Sequence, residues 1–127
     1  SNQRIMHYIK KVTGPYDVNS FAVKAAIAAL DDYEYIDNYV LKVKKARNWI
    51  RDRFKTINIR SHFSGGNYFL VWPNKDPHIL EKEMRSKGVL IRNMSNKKYI
   101  EGSIRVSIGT KEQMELFWKI YKELDIK

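Results

Sequence analysis

The chain has 127 residues, with 24 Lys and Arg against 14 Asp and Glu for a formal net charge of +10. A single domain burying about 68% of its extended-chain surface fits that length. A content of 43% hydrophobic and 30% charged residues excludes a disordered tail and a membrane protein, and the absence of cysteine removes disulfides, thiolate catalysis and cysteine-ligated zinc.

Residues 1–16 read as polar and irregular, ending in the turn signal Thr13-Gly14-Pro15-Tyr16, where Pro fixes φ and Gly admits a left-handed residue. The start, Ser1-Asn2-Gln3, lacks an initiator Met and a signal-peptide pattern, so the chain is expected to be unexported and a trimmed piece of something longer. Asp17 and Asn19 are N-cap types ahead of Phe21, Ala22, Ala25, Ala26, Ile27, Ala29 and Leu30. That segment predicts a helix apolar on most sides, suited to close packing within a larger body. Asp31-Asp32 then caps a second helix of about 23 residues, with Ile36, Val40, Val43, Ile50 and Phe54 inward and Lys42, Lys44, Lys45, Arg51 and Arg53 on the other face.

The period next falls to two. Ile57 to Arg60 and Asn67 to Trp72 predict strands joined through Ser64-Gly65-Gly66, in a hairpin. Asp76-Pro77 supplies an N-cap and a Pro at the first helical position, Leu80 and Met84 point inward, and Gly88 ends the helix. Val89 to Arg92 and Ile104 to Ile108 predict two more strands, with a polar stretch from Asn93 to Ser103 between them. Thr110 with Gln113 forms a capping box for a closing helix striped by Met114, Phe117, Trp118, Tyr121 and Leu124. The order is α-α-β-β-α-β-β-α. It predicts an α+β, two-layer domain over residues 1–127, a mostly antiparallel sheet of about four strands with helices packed on one face.

Catalytic constellations are scarce. His7, His62 and His78 are too scattered for a metal set, and no nucleophile elbow, P-loop, dinucleotide fingerprint or zincin motif is present. Gly65-Gly66 reads as a turn, Trp49, Trp72 and Trp118 as core, and the basic run from Lys42 to Lys55 as a solvated helix face. Two arginines stand out. Alternation in Ser103-Ile104-Arg105-Val106-Ser107-Ile108 sends the aliphatic residues to one face and leaves Arg105 between small hydroxyl residues on the other. A guanidinium placed there can grip a carboxylate bidentately, where a lysine offers only a point charge; a structural ion pair is the competing reading. Arg92 ends the preceding strand.

Four collinear blocks carry a resemblance: Pro15-Tyr16-Asp17-Val18-Asn19-Ser20, Gly66-Asn67-Tyr68-Phe69-Leu70-Val71, Lys87-Gly88-Val89-Leu90-Ile91-Arg92 and Ile104-Arg105-Val106-Ser107-Ile108-Gly109-Thr110. They resemble successive blocks of histidinol-phosphate aminotransferases, members of the fold-type I, class I/II family of pyridoxal-phosphate enzymes. The resemblance implies the C-terminal small domain of such an enzyme, with Arg105 on the substrate α-carboxylate and Arg92 where the histidinol-phosphate branch places an arginine for the substrate phosphate. Asn67 receives a structural role, closing the turn into its strand. The Schiff-base lysine, the pyridine-nitrogen aspartate and the cofactor phosphate loop of the family lie upstream, so no catalytic, cofactor-binding or metal residue is assigned here. The segment alone is expected to be inactive and to bind pyridoxal phosphate poorly. For the parent the resemblance implies a cytoplasmic homodimer of amino-acid biosynthesis. It would move an amino group between an amino-acid-type or phosphorylated amine and 2-oxoglutarate, with neither nucleic acid nor membrane as partner. The sequence leaves two alternatives open: a basic α+β nucleic-acid-binding module, prompted by the charge of +10, and a regulatory small-ligand domain.

Overall fold

A computed structural model describes residues 2–12 and 18–126. Its elements are α1 (Gln3–Val12), α2 (Ser20–Asp31), α3 (Tyr33–Thr56), β1 (Ser61–Phe63), β2 (Tyr68–Val71), α4 (Pro77–Ser86), β3 (Arg92–Asn93), β4 (Ile104–Ser107) and α5 (Lys111–Asp125). The expected order is present, preceded by one further helix. Contacts group the chain into two compact units, Ser1–Asp37 and Asn38–Lys127, where the sequence reading treats 1–127 as a single domain.

In the first unit, α1 replaces the irregular segment expected from polarity. Ile5, Tyr8, Ile9 and Val12 recur at three- and four-residue spacing, which is a helical period. Asn2 caps the start, its Oδ1 accepting the Arg4 N–H at 2.9 Å. The turn Thr13 to Tyr16 and the cap candidate Asp17 lie outside the described residues. Asn19 is the N-cap of α2, accepting from the Phe21 N–H at 2.8 Å. Neither α1 nor α2 buries a residue.

The second unit is a sheet in the order β1-β2-β4-β3, antiparallel throughout, with helices on one face. Its core joins Ala46, Ile50 and Phe54 of α3, Leu80 and Met84 of α4, and Met114, Phe117 and Tyr121 of α5 to Phe69, Val71, Ile104 and Val106 of the sheet. Phe54 is central, with the rings of Phe69, Trp118 and Tyr121 at 5.7, 5.1 and 5.4 Å from its own, edge-on or tilted geometries that aromatic pairs prefer. The caps read from the sequence are in place. Asp76 accepts from the N–H groups of His78 and Ile79, Gly88 has φ +81°, and Thr110 and Gln113 close their box. Asp125, buried at the end of α5, accepts from the N–H groups of Asn74 and Lys75 and from the Tyr121 hydroxyl at 3.1, 2.6 and 2.7 Å. It ties the last helix to the loop before α4.

Two strands are displaced from expectation. Ile57 to Arg60 is not strand, because the N–H groups of Ile57 and Ile59 turn back to the carbonyls of Phe54 and Ile57; β1 starts at Ser61. The strand expected at Val89 to Arg92 shrinks to Arg92–Asn93 at the sheet edge.

Candidate functional site

Antiparallel register decides which side chains share a face. His62 pairs with Leu70, Leu70 with Arg105, and Arg105 with Arg92, so all four stand in one row across the sheet. Directly opposed residues point to the same side, with Cβ atoms about 4.5–5.5 Å apart. The flanking residues Phe69, Val71, Ile104 and Val106 enter the core; the row therefore lies on the face turned away from α3, α4 and α5.

The two arginines singled out from sequence are thus brought together. Arg92 is exposed and Arg105 half-buried. Among the described residues neither guanidinium has a carboxylate within 4.0 Å. The structural ion pair that competed with the ligand reading is not formed there. Arg105 lies 5.5 Å from the ring of Tyr68, its partner strand's residue on the same face. The room expected on both sides of Arg105 is found on one only. Ser107 is exposed, but Ser103 is fully buried, its hydroxyl donating to the Ile100 carbonyl at 2.6 Å.

Leu70 forms the floor. It is 8% exposed yet stands outside the core cluster, flanked across strands by His62 and Arg105 and along its own by Tyr68 and Trp72. Trp72 is where the sequence reading fails. Expected in the core, it is half-buried on the open face, with the Arg60 guanidinium 3.9 Å from its ring and its Nε1–H donating to the Glu101 carbonyl at 2.9 Å. Alternation from Arg105 through Leu70 carried that signal: residues 68, 70 and 72 share one side. Trp49, half-buried, packs against the core with the Arg53 guanidinium 4.5 Å from its ring, and Trp118 is core as expected.

Asn67 contributes its backbone carbonyl, which accepts the Ile108 N–H at 2.7 Å. The turn before it is held from α3 instead, where Arg47 donates to the carbonyls of Gly65 and Gly66 at 3.1 and 2.8 Å. His7, His62 and His78 join no metal cluster among the described residues, and no described helix is long and apolar enough to cross a membrane. A cavity of about 750 Å³ lined by Ile57, Ile59, Asn74, Leu124 and Ile126 includes neither site arginine. Its walls meet the Asp125 clamp, whose hydrogen bonds are already internal. The arginine face carries the better case for a ligand, because among the described residues its guanidinium groups have no acidic partner.

An aminotransferase class I and II family model matches residues 1–119. The chain belongs to that family. It is 33% identical over 117 residues to the histidinol-phosphate aminotransferase of Desulfotalea psychrophila, covering 92% of this chain and 31% of that protein. The crystal structure of the histidinol-phosphate aminotransferase from Clostridium acetobutylicum superposes with a TM-score of 0.74 at 26% identity, over 97% of this chain and 38% of that one. The L-threonine-O-3-phosphate decarboxylase of Porphyromonas gingivalis shares the fold, with a TM-score of 0.62 at 23% identity, over 97% of this chain and 39% of that one. The chain thus spans about a third of the length of these relatives.

Class I and II aminotransferases depend in general on pyridoxal phosphate. The residues described here do not make a seat for it on their own. The strand positions of the open face carry His62, Tyr68, Leu70, Arg92, Arg105 and Ser107, with no lysine for an imine and no carboxylate for a pyridine nitrogen. Two adjacent guanidinium groups are a donor set for an anion.

Proposed function

We propose that this chain is the substrate-binding C-terminal small domain of a pyridoxal-phosphate-dependent aminotransferase resembling histidinol-phosphate aminotransferase. The observation that supports the reading most is the opposition of Arg92 and Arg105 on one open face without an acidic partner among the described residues. Two like charges in that relation repel, and an anion between them turns the repulsion into attraction. Arg105 binds and orients the carboxylate common to amino donor and oxo acid, 2-oxoglutarate among them, because both half-reactions use one site. A charge-assisted hydrogen bond of this kind contributes about 1.5–3 kcal/mol. Arg92 takes the phosphate of a phosphorylated amine. The bond-making chemistry belongs to the cofactor, held by the part of the polypeptide outside this chain, so that the segment alone is inactive. The parent is proposed to be a cytoplasmic homodimer.

Both a nucleic-acid module and an effector domain would also hold anions. Family membership and a local two-arginine cluster, in place of a basic tract along a groove, favour the small substrate. The test is kinetic: in the full-length enzyme, Arg92→Gln is expected to raise KM for phosphorylated amines at least tenfold and for unphosphorylated ones less than threefold. Equal losses on both classes contradict the assignment.

A further inference from the structure

Arg105 has no acidic partner among the described residues to fix its direction. A long side chain left to rotate surrenders that freedom when a ligand fixes it, and binding is weaker for it. An anion site therefore gains from a neighbour that directs the guanidinium in advance. A carboxylate neighbour would do so by neutralising the charge that the anion needs. The face of an aromatic ring attracts a cation and leaves its charge in place.

Tyr68 is such a neighbour. It pairs with Ser107, two residues beyond Arg105 on β4, and so stands diagonal to Arg105 on the same face, a separation that aromatic and long side chains span. The Arg105 guanidinium lies over its ring, 5.5 Å from the centroid, within the range of cation–π attraction. The ring also has a seat. A Cβ built on Gly66 would lie 3.2 and 3.4 Å from Tyr68 Cε1 and Cδ1, so one ring edge rests where a side chain at 66 would press on it. Gly66 has no positive φ; space, not backbone freedom, is what glycine supplies there. The seat is anchored in turn, because Arg47 of α3 donates to the carbonyls of Gly65 and Gly66 at 3.1 and 2.8 Å. Contacts thus run unbroken from the helix layer through the turn and the Tyr68 ring to Arg105.

We propose that Tyr68 is a positioning residue, whose ring, seated on Gly66, aims the Arg105 guanidinium before the anion binds. The inference rests on the proposed carboxylate role of Arg105. Tyr68 acts through Arg105 and not on the substrate, so its loss weakens amino donor and oxo acid alike. The π face is what the role requires, and phenylalanine serves in place of tyrosine.

The experiment is steady-state kinetics on the full-length enzyme carrying Tyr68→Leu, Tyr68→Phe, Gly66→Ala or Arg105→Ala, and on the double variant of Tyr68→Leu with Arg105→Ala. Tyr68→Leu is expected to raise KM about two- to fivefold for both amino donor and 2-oxoglutarate, the worth of a partly exposed cation–π contact, with kcat changed less than about 1.5-fold. Tyr68→Phe should keep both KM values within about 1.5-fold of the parent. Added to Arg105→Ala, Tyr68→Leu should change nothing further, since the cycle isolates what passes between the two side chains. Gly66→Ala keeps the ring but displaces it by a few tenths of an ångström; it should raise both KM values in the same sense, and it carries the test if Tyr68→Leu does not fold. Unchanged KM values in Tyr68→Leu or Gly66→Ala, while Arg105→Ala raises both, overturn the proposal and leave the arginine reading standing. An equal loss from Tyr68→Leu with and without Arg105 overturns it too, because the ring then acts through the fold or on the substrate. If Arg105→Ala changes neither KM, the arginine reading itself fails and this inference falls with it.

Discussion

Replacing Arg92 by threonine should make the chain more stable. Arg92 sits directly opposite Arg105 on the edge strand β3, exposed and without an acidic partner among the described residues, so the substitution removes a repulsion and no ion pair. Directly opposed side chains start from Cβ atoms about 4.5–5.5 Å apart, and two unit charges at a separation on the order of 7 Å repel by about 0.6 kcal/mol in bulk water and about 2.4 kcal/mol at an effective dielectric constant of about 20. Exposure of Arg92 puts the pair near the lower limit, at about 0.5–1 kcal/mol, and threonine keeps the β propensity of the edge. That corresponds to a rise of about 2–5 °C in melting temperature. Thermal unfolding followed by circular dichroism in low salt and in about 1 M NaCl separates charge from packing, because a Debye length of about 3 Å screens the pair. The gain should be present in low salt and mostly gone in high salt. Added inorganic phosphate should then stabilise the parent chain more than the variant, by binding the folded pair. A variant less stable in low salt, or a difference indifferent to salt, refutes the reasoning.

Three further outcomes follow from the fold. Asp125→Ala strands the N–H groups of Asn74 and Lys75 and the Tyr121 hydroxyl, and should cost about 3 kcal/mol in urea unfolding; a loss below about 1 kcal/mol contradicts the clamp. Burial, with the Asp125 carboxylate as hydrogen-bond partner and neighbouring charge, pushes the Tyr121 phenol far above its ordinary value. The folded state therefore holds its proton where the unfolded chain loses it. Stability from this group is complete below about pH 10 and falls above it, a loss that Tyr121→Phe should reduce when urea midpoints are compared at pH 9 and 11. Gly109→Ala would drive its Cβ into Gln113 Oε1 and open the capping box, lowering stability by about 0.5–1.5 kcal/mol; no change in melting temperature would contradict that.

What was legible in the sequence was set by local chemistry. Asp76-Pro77, Gly88 and the Thr110/Gln113 box announce helix ends because their side chains satisfy backbone groups a few residues away. Alternation around Arg105 gave its face correctly, since a strand's side-chain period is fixed. The pairing of Arg105 with Arg92 was not legible, because register depends on how β3 meets β4. Trp72 was misplaced for a related reason. Its size suggested the core, whereas its parity with Leu70 puts it on the open face, beneath Arg60. The helix α1 is hidden in the sequence because polar residues on one side mask the periodic Ile5, Ile9 and Val12.

Arg105→Ala in the full-length enzyme, with initial rates measured against amino donor and against 2-oxoglutarate, tests the anion clamp most directly. The proposed role predicts that both KM values rise tenfold or more, since one guanidinium would serve the anionic group of the substrate in each half-reaction. Both KM values unchanged would show that no substrate carboxylate rests on this face.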